Sequence, residues 1–119
     1  QLEIDSIIDA VYENHQVVSN PEITLEANPD DLTSTKIKEL AKSRINRLSI
    51  GIQSFFEQDL KLMNRAHNAL EAKNCLFEAT NYFKNISVDL IYGIPNSTLK
   101  EWKENLNLAL DAPTIVSPK

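Results

Sequence analysis

This sequence of 119 residues has a single cysteine, no run of basic residues, and no apolar stretch near the roughly 20 residues that a bilayer-spanning helix requires. Each absence removes a class of function. One thiol cannot close an internal disulfide, nor can it supply a cysteine-rich metal cage by itself. A net charge of -5 without a basic run argues against a nucleic-acid backbone or an anionic membrane surface as the main partner. There is no low-complexity run, and the amino terminus does not have the pattern of a secretory signal, so the expected compartment is cytoplasmic. What is present is enough apolar material, 42% of residues, for the core of one small unit spanning residues 1–119.

The most informative stretch is Arg47-Leu-Ser-Ile-Gly-Ile-Gln-Ser-Phe55. Leu48, Ile50 and Ile52 alternate with Ser49, Gly51 and Gln53, which is the two-residue period of a strand with one apolar and one small, polar face. A parallel strand buried on both sides is expected to be apolar on both. The same alternation recurs in 22–26, where Ile23 and Leu25 alternate with Thr24 and Glu26, and in 86–90, where Ile86, Val88 and Leu90 alternate with Ser87 and Asp89. Helical patterns lie between these strands, which predicts parallel pairing through crossovers. Curling such a sheet so that its polar faces converge gives an α/β fold, an incomplete (β/α) TIM-like barrel, with Glu26, Gln53 and Asp89 aimed into a common cavity. Parallel barrels concentrate chemistry at the strands' C-terminal ends, where Glu26 and Gln53 fall. A whole barrel takes about 200 residues or more, so this chain is expected to be part of one. The competing architecture is an open-sheet α/β binding module, with those three residues on different faces.

Helices are predicted over 2–12, with Ile4, Ile7, Ile8 and Val11 packing on the sheet, and over 34–42, with Ile37, Leu40 and Ala41 inside. Ser54 and Glu57 form an S-x-x-E capping box, so a helix is expected directly after the central strand, buried through Leu60, Leu62 and Met63. Asn68 with Glu71, and Thr98 with Glu101, predict two further capped helices. The first carries the stripe Ala72, Cys75, Leu76, Ala79, Tyr82, Phe83, and the second Leu99, Trp102, Leu106, Ala109, Leu110. Pro29 and Pro95 stop the first and third strands, Gly93 supplies unusual backbone angles in the loop just before Pro95, and 114–117 begins a further strand. Glu26 is either a solvated strand end or a ligand contact. Arg65 either forks onto a ligand carboxylate or pairs with an acidic neighbour. His67 has no partner at metal-ligand spacing and is read as structural, His15 as solvated, and Cys75 as core.

Four segments together carry a resemblance: Glu22-Ile-Thr-Leu-Glu-Ala-Asn-Pro29, Asn46-Arg-Leu-Ser-Ile-Gly-Ile-Gln-Ser-Phe55, Asn64-Arg-Ala-His67 and Val88-Asp-Leu-Ile-Tyr-Gly-Ile-Pro95. In order and spacing they resemble the radical S-adenosylmethionine (SAM) family of oxygen-independent coproporphyrinogen III oxidase, from about Pro21 to Leu110. The resemblance implies an incomplete (β/α) barrel with a [4Fe-4S] cluster and S-adenosyl-L-methionine, which the reduced cluster cleaves to a 5′-deoxyadenosyl radical. It implies Glu26, Gln53, Arg65 and Asp89 as SAM-contacting positions, a porphyrinogen or heme as substrate or cargo, and an electron donor for the cluster. In the oxidase the radical leads to decarboxylation of propionate side chains to vinyl groups. A second branch of the family binds and delivers heme, and Asn28, Ser54 and His67 lean towards it. The family's C-x3-C-x2-C cluster motif and its glycine-rich SAM segment do not occur here. Together with the opening residue Gln1, this makes the chain an expected internal fragment, inactive alone, whose function belongs to the whole protein.

Overall fold

The computed structural model describes residues 2–112 in full and residues 115–118 as backbone. Four strands, β1 (Thr24–Ala27), β2 (Arg47–Gln53), β3 (Ile86–Leu90) and β4 (Ile115–Pro118), form one parallel sheet in the order β1-β2-β3-β4. Between them run α2 (Ser34–Ala41), α3 (Glu57–Leu62) with α4 (Ala69–Thr80), and α5 (Leu99–Leu110), while α1 (Leu2–Asn14) precedes β1. Thr114, at the expected start of the last strand, lies outside the described residues.

Strand order decides between the two architectures. An open doubly wound sheet reverses its order at a switch point and carries helices on both faces. Here the order is sequential, and Ile37 and Leu40 of α2, Leu76 and Ala79 of α4 and Ala109 of α5 share one core with Leu48, Ile50, Ile52, Ile86 and Val88. The helices α2, α4 and α5 therefore cover the apolar face, and the polar face is left to curl inward, as the wall of a partial TIM-like barrel does.

Local chemistry explains most of the elements. The Asn68 and Thr98 side chains accept from the backbone N–H of Glu71 and Glu101, and both glutamates reach back to complete capping boxes. Gly93 adopts φ 75, the left-handed conformation that ends β3's extension. Asn46 joins β1 to β2 by accepting from Ile23 N–H at 2.8 Å and donating to the Pro21 carbonyl at 2.8 Å.

Several expectations are corrected. The α1 helix does not lay its face on the sheet: Ile4 and Ile8 reach the core edge, while Ile7 stays 67% exposed. What ties α1 down is Arg44, which bonds Asp9 at 2.6 Å and stacks 4.4 Å above the Tyr12 ring. Ser54 is not a helix cap. Helix α3 starts at Glu57 with Phe56 as N-cap, because the Ser54 hydroxyl is committed to a buried network with Asp59 and Asn105. Leu62 is 55% exposed, so Leu60 alone is fully buried in that helix among the apolar residues expected there. Tyr82 lies beyond α4 and is half exposed, whereas Phe83 is buried. In α5 the inner stripe runs through Trp102, Asn105, Leu106 and Ala109, which leaves Leu99 and Leu110 flanking it at 62% and 60% exposure.

Ile50→Ala, at the centre of the buried stripe, is expected to cost about 2–5 kcal/mol in urea unfolding. Leu110→Ala, by contrast, is expected to stay within about 0.5 kcal/mol.

Candidate functional site

The polar face of the sheet forms a column. At its N-terminal end Arg47 of β2 donates to Ser87 Oγ of β3 at 2.8 Å and to Thr24 Oγ1 of β1 at 3.3 Å, spanning three strands. Ser49, 1% exposed, sits above it. At the C-terminal end the column opens into a hollow of about 350 Å³, lined by Glu26, Ala27, Asn28, Ser49, Gly51, Gln53, Arg65 and Asp89. The four residues singled out from the sequence thus border one space. Glu26 and Asp89 come from β1 and β3, Gln53 ends β2, and Arg65 enters from the loop after α3.

Three details shape this hollow. The Arg65 guanidinium donates to the Asn28 amide oxygen Oδ1 at 2.7 Å, and no ion pair among the described residues engages it. Gly51 forms a bare floor: a Cβ there would fall 2.8 Å from Gln53 Nε2 and 3.1 Å from Asn28 Oδ1, in the space the two amides enclose. Gln53 has φ 68, unusual for a residue with a side chain, and coincides with an irregularity in the β2–β3 register.

Two other features prove structural. His67 is buried, with its Nε2–H donating to the Ile52 carbonyl at 3.1 Å. Cys75 is on the buried face of α4, where loss of solvent, reinforced by Asp30, pushes its thiol up to about 12 and leaves it unreactive at neutral pH. A larger hollow of about 490 Å³ lies among Pro29, Asp30, Ser34, Cys75 and Glu78, in the seam between α2 and α4 on the helical side. It shares no residue with the polar column.

Sequence reasoning did not assign Asn28 to the site, although it follows Glu26 by the same-face spacing of two. Nor did it assign Arg47 or the buried set Ser54, Asp59 and Asn105. A polar Asn105 three residues after Trp102, on the inner stripe of α5, was the available signal.

The fold and this hollow define a class of protein. Residues 2–109 match the family model of the Radical SAM superfamily, and the chain belongs to that superfamily. Within it the likeness is to HemN/HemW-type members. The chain is 40% identical over 90 residues to "Heme chaperone HemW" of Bacillus subtilis, covering 75% of this chain and 24% of that protein. It is 34% identical over 104 residues to "Radical S-adenosyl methionine domain-containing protein 1, mitochondrial" of Bos taurus, covering 87% and 24%. The solved coproporphyrinogen III oxidase (HemN) of Escherichia coli superposes with a TM-score of 0.77 at 28% identity, over 89% of this chain and 25% of that one. The chain therefore spans about a quarter of the length of the relatives it matches.

The superfamily implies S-adenosylmethionine and a [4Fe-4S] cluster, and the residues present can be compared with both. They fit the first: two carboxylates, two amides and a guanidinium face a floor without a side chain, matching a zwitterion joined to a hydroxylated nucleoside. They do not fit the second. No group of three potential ligands occurs among the described residues, and the one thiol is buried.

Gly51→Ala is expected to push aside the Gln53 and Asn28 side chains with only a small loss of stability, since both neighbours are side-chain ends. Gln53→Gly is expected to leave stability unchanged or raised, because the strain of a non-glycine residue at positive φ, about 1 kcal/mol or more, disappears. Thermal unfolding of both variants checks this, and a drop of several degrees for Gln53→Gly would contradict it.

Proposed function

We propose that the hollow at the ends of β1, β2 and β3 is one side of an S-adenosylmethionine site, and that the full-length gene product handles heme as a chaperone of HemW type. The observation that carries the first part is the convergence of Glu26, Gln53, Arg65 and Asp89 around the bare Gly51 floor. S-adenosylmethionine, when bound, supplies a sulfonium whose carbon–sulfur bond is open to reductive cleavage. This chain's residues bind and orient it. The planar fork of Arg65 suits the methionine carboxylate. Glu26 and Asp89 accept from ammonium or ribose hydroxyl groups, and Gln53 both donates and accepts. In this reading residues 1–119 are part of a radical SAM core, and the thiolates of the cluster are not in this chain.

The chaperone reading is supported by the likeness to "Heme chaperone HemW" of Bacillus subtilis, and the family resemblance of Asn28, Ser54 and His67 leans the same way. The competing reading, oxidative decarboxylation of a porphyrinogen, is favoured by the fold likeness to the Escherichia coli oxidase.

Calorimetry of the full-length gene product with S-adenosylhomocysteine, which binds without turnover, tests the site. Arg65→Ala and Glu26→Gln are each expected to weaken binding by about 10- to 100-fold, the loss of one charge-assisted hydrogen bond. Unchanged affinity in both would refute the assignment. An anaerobic assay for vinyl products beside a heme titration separates the two functions: heme binding without turnover is expected, and turnover would favour the oxidase.

A further inference from the structure

The end of β2 is held in an unusual turn. Ser54 N–H donates to the Ile52 carbonyl at 2.8 Å across Gln53, whose φ is 68. A three-residue turn with positive φ at its centre is the rare, strained form of its kind. Such backbone persists only where its surroundings over-determine it.

Here they do, from three directions. The Ile52 carbonyl accepts a second hydrogen bond, from His67 Nε2 at 3.1 Å. The Gln53 carbonyl accepts from Ile91 N–H at 2.9 Å, which ties the turn to the end of β3. Phe55 N–H donates to Asn105 Oδ1 at 2.8 Å, while Ser54 Oγ donates to the buried Asp59 carboxylate at 2.7 Å and accepts from Asn105 Nδ2 at 3.1 Å.

His67 stands apart among these ties. Its side chain is fully buried, and because a carbonyl oxygen carries no proton, Nε2 must be the donor. Its other ring nitrogen faces Asp30, two residues past Asn28, at 3.7 Å without a hydrogen bond. The loop that carries His67 also carries Arg65, which bonds Asn28. One short loop therefore grips the end of β1 from inside the hollow and the end of β2 from behind it.

We infer that His67 is a positioning residue: by holding the Ile52 carbonyl it locks Gln53 in the positive-φ turn that keeps its amide above Gly51 and inside the hollow. It acts through the backbone and touches no ligand. The effect on affinity rests on the S-adenosylmethionine reading of the hollow, whereas the effect on the turn does not.

The experiment uses the full-length gene product carrying His67→Leu, His67→Asn or His67→Gln. The leucine removes the donor, the asparagine is too short to reach, and the glutamine amide N–H reaches the same carbonyl. Amide hydrogen exchange at Ser54, measured without ligand, is expected to accelerate about tenfold or more in the leucine and asparagine variants, the loss of one hydrogen bond to the turn, and to recover in the glutamine variant. Affinity for S-adenosylhomocysteine is expected to fall about tenfold and recover in the same pattern. In a Gln53→Gly background, which has no amide to hold, His67→Leu is expected to change affinity by less than about twofold, because the two residues act as one unit.

Unchanged exchange at Ser54, or an affinity loss that simply adds to that of Gln53→Gly, overturns the inference, since a histidine that only fills the core would behave so. If the leucine variant does not fold, the asparagine and glutamine pair carries the same comparison. If the wild-type protein binds no S-adenosylhomocysteine, the reading of the hollow fails, and exchange at Ser54 still decides the role of His67.

Discussion

The central constraint on this chain lies in its strands: the crossover helices α2, α4 and α5 all cover the same face of a parallel sheet. Burying Leu48, Ile50, Ile52, Ile86 and Val88 against α2, α4 and α5 supplies the hydrophobic driving force. It also frees the opposite face from any obligation to be apolar. That face is where Arg47, Ser49, Gly51 and Gln53 can stand side by side with Glu26 and Asp89. The site is thus a by-product of where the core lies, and its position at the C-terminal ends is set by where the crossovers leave the sheet.

The mouth of the hollow is organised by polar groups buried beneath it. Ser54, Asp59 and Asn105 are nearly inaccessible, yet each finds a partner, so their burial specifies geometry without leaving unsatisfied groups. Helix α5 contributes to the site only through this network. Its Asn105 holds the chain just past Gln53 and leaves the ligand-facing side to β1, β2, β3 and the Arg65 loop.

The sheet and its two faces were legible in the sequence because a two-residue period survives any error of a residue or two at strand ends. The capped starts of α4 and α5 were legible because both partners of each box lie three residues apart. Ser54 showed the same local pattern and was misread, since its hydroxyl is shared between Asp59 and Asn105, and Asn105 lies 51 residues away, where no local rule can weigh it. Amphipathicity said that α1 has an apolar side but not what it rests against, and Arg44 provided an answer no periodicity contains. Nor does anything about a glutamine announce positive φ, so the turn at Gln53 became visible only in three dimensions.

Arg47 has one more consequence, for how the strands find their alignment. Sliding a strand by one residue would turn its greasy side outward and is heavily penalised, but sliding it by two restores every side chain to its proper face. With Leu, Ile and Val at nearly all inward positions, such a slip would cost little in packing. A rigid guanidinium that must meet Thr24 on one neighbour and Ser87 on the other at once tells the two alignments apart, alongside the bonds of Asn46 to the residues before β1. Arg47 thereby acts as the notch of a key, rejecting mispaired sheets that the oily side alone would accept.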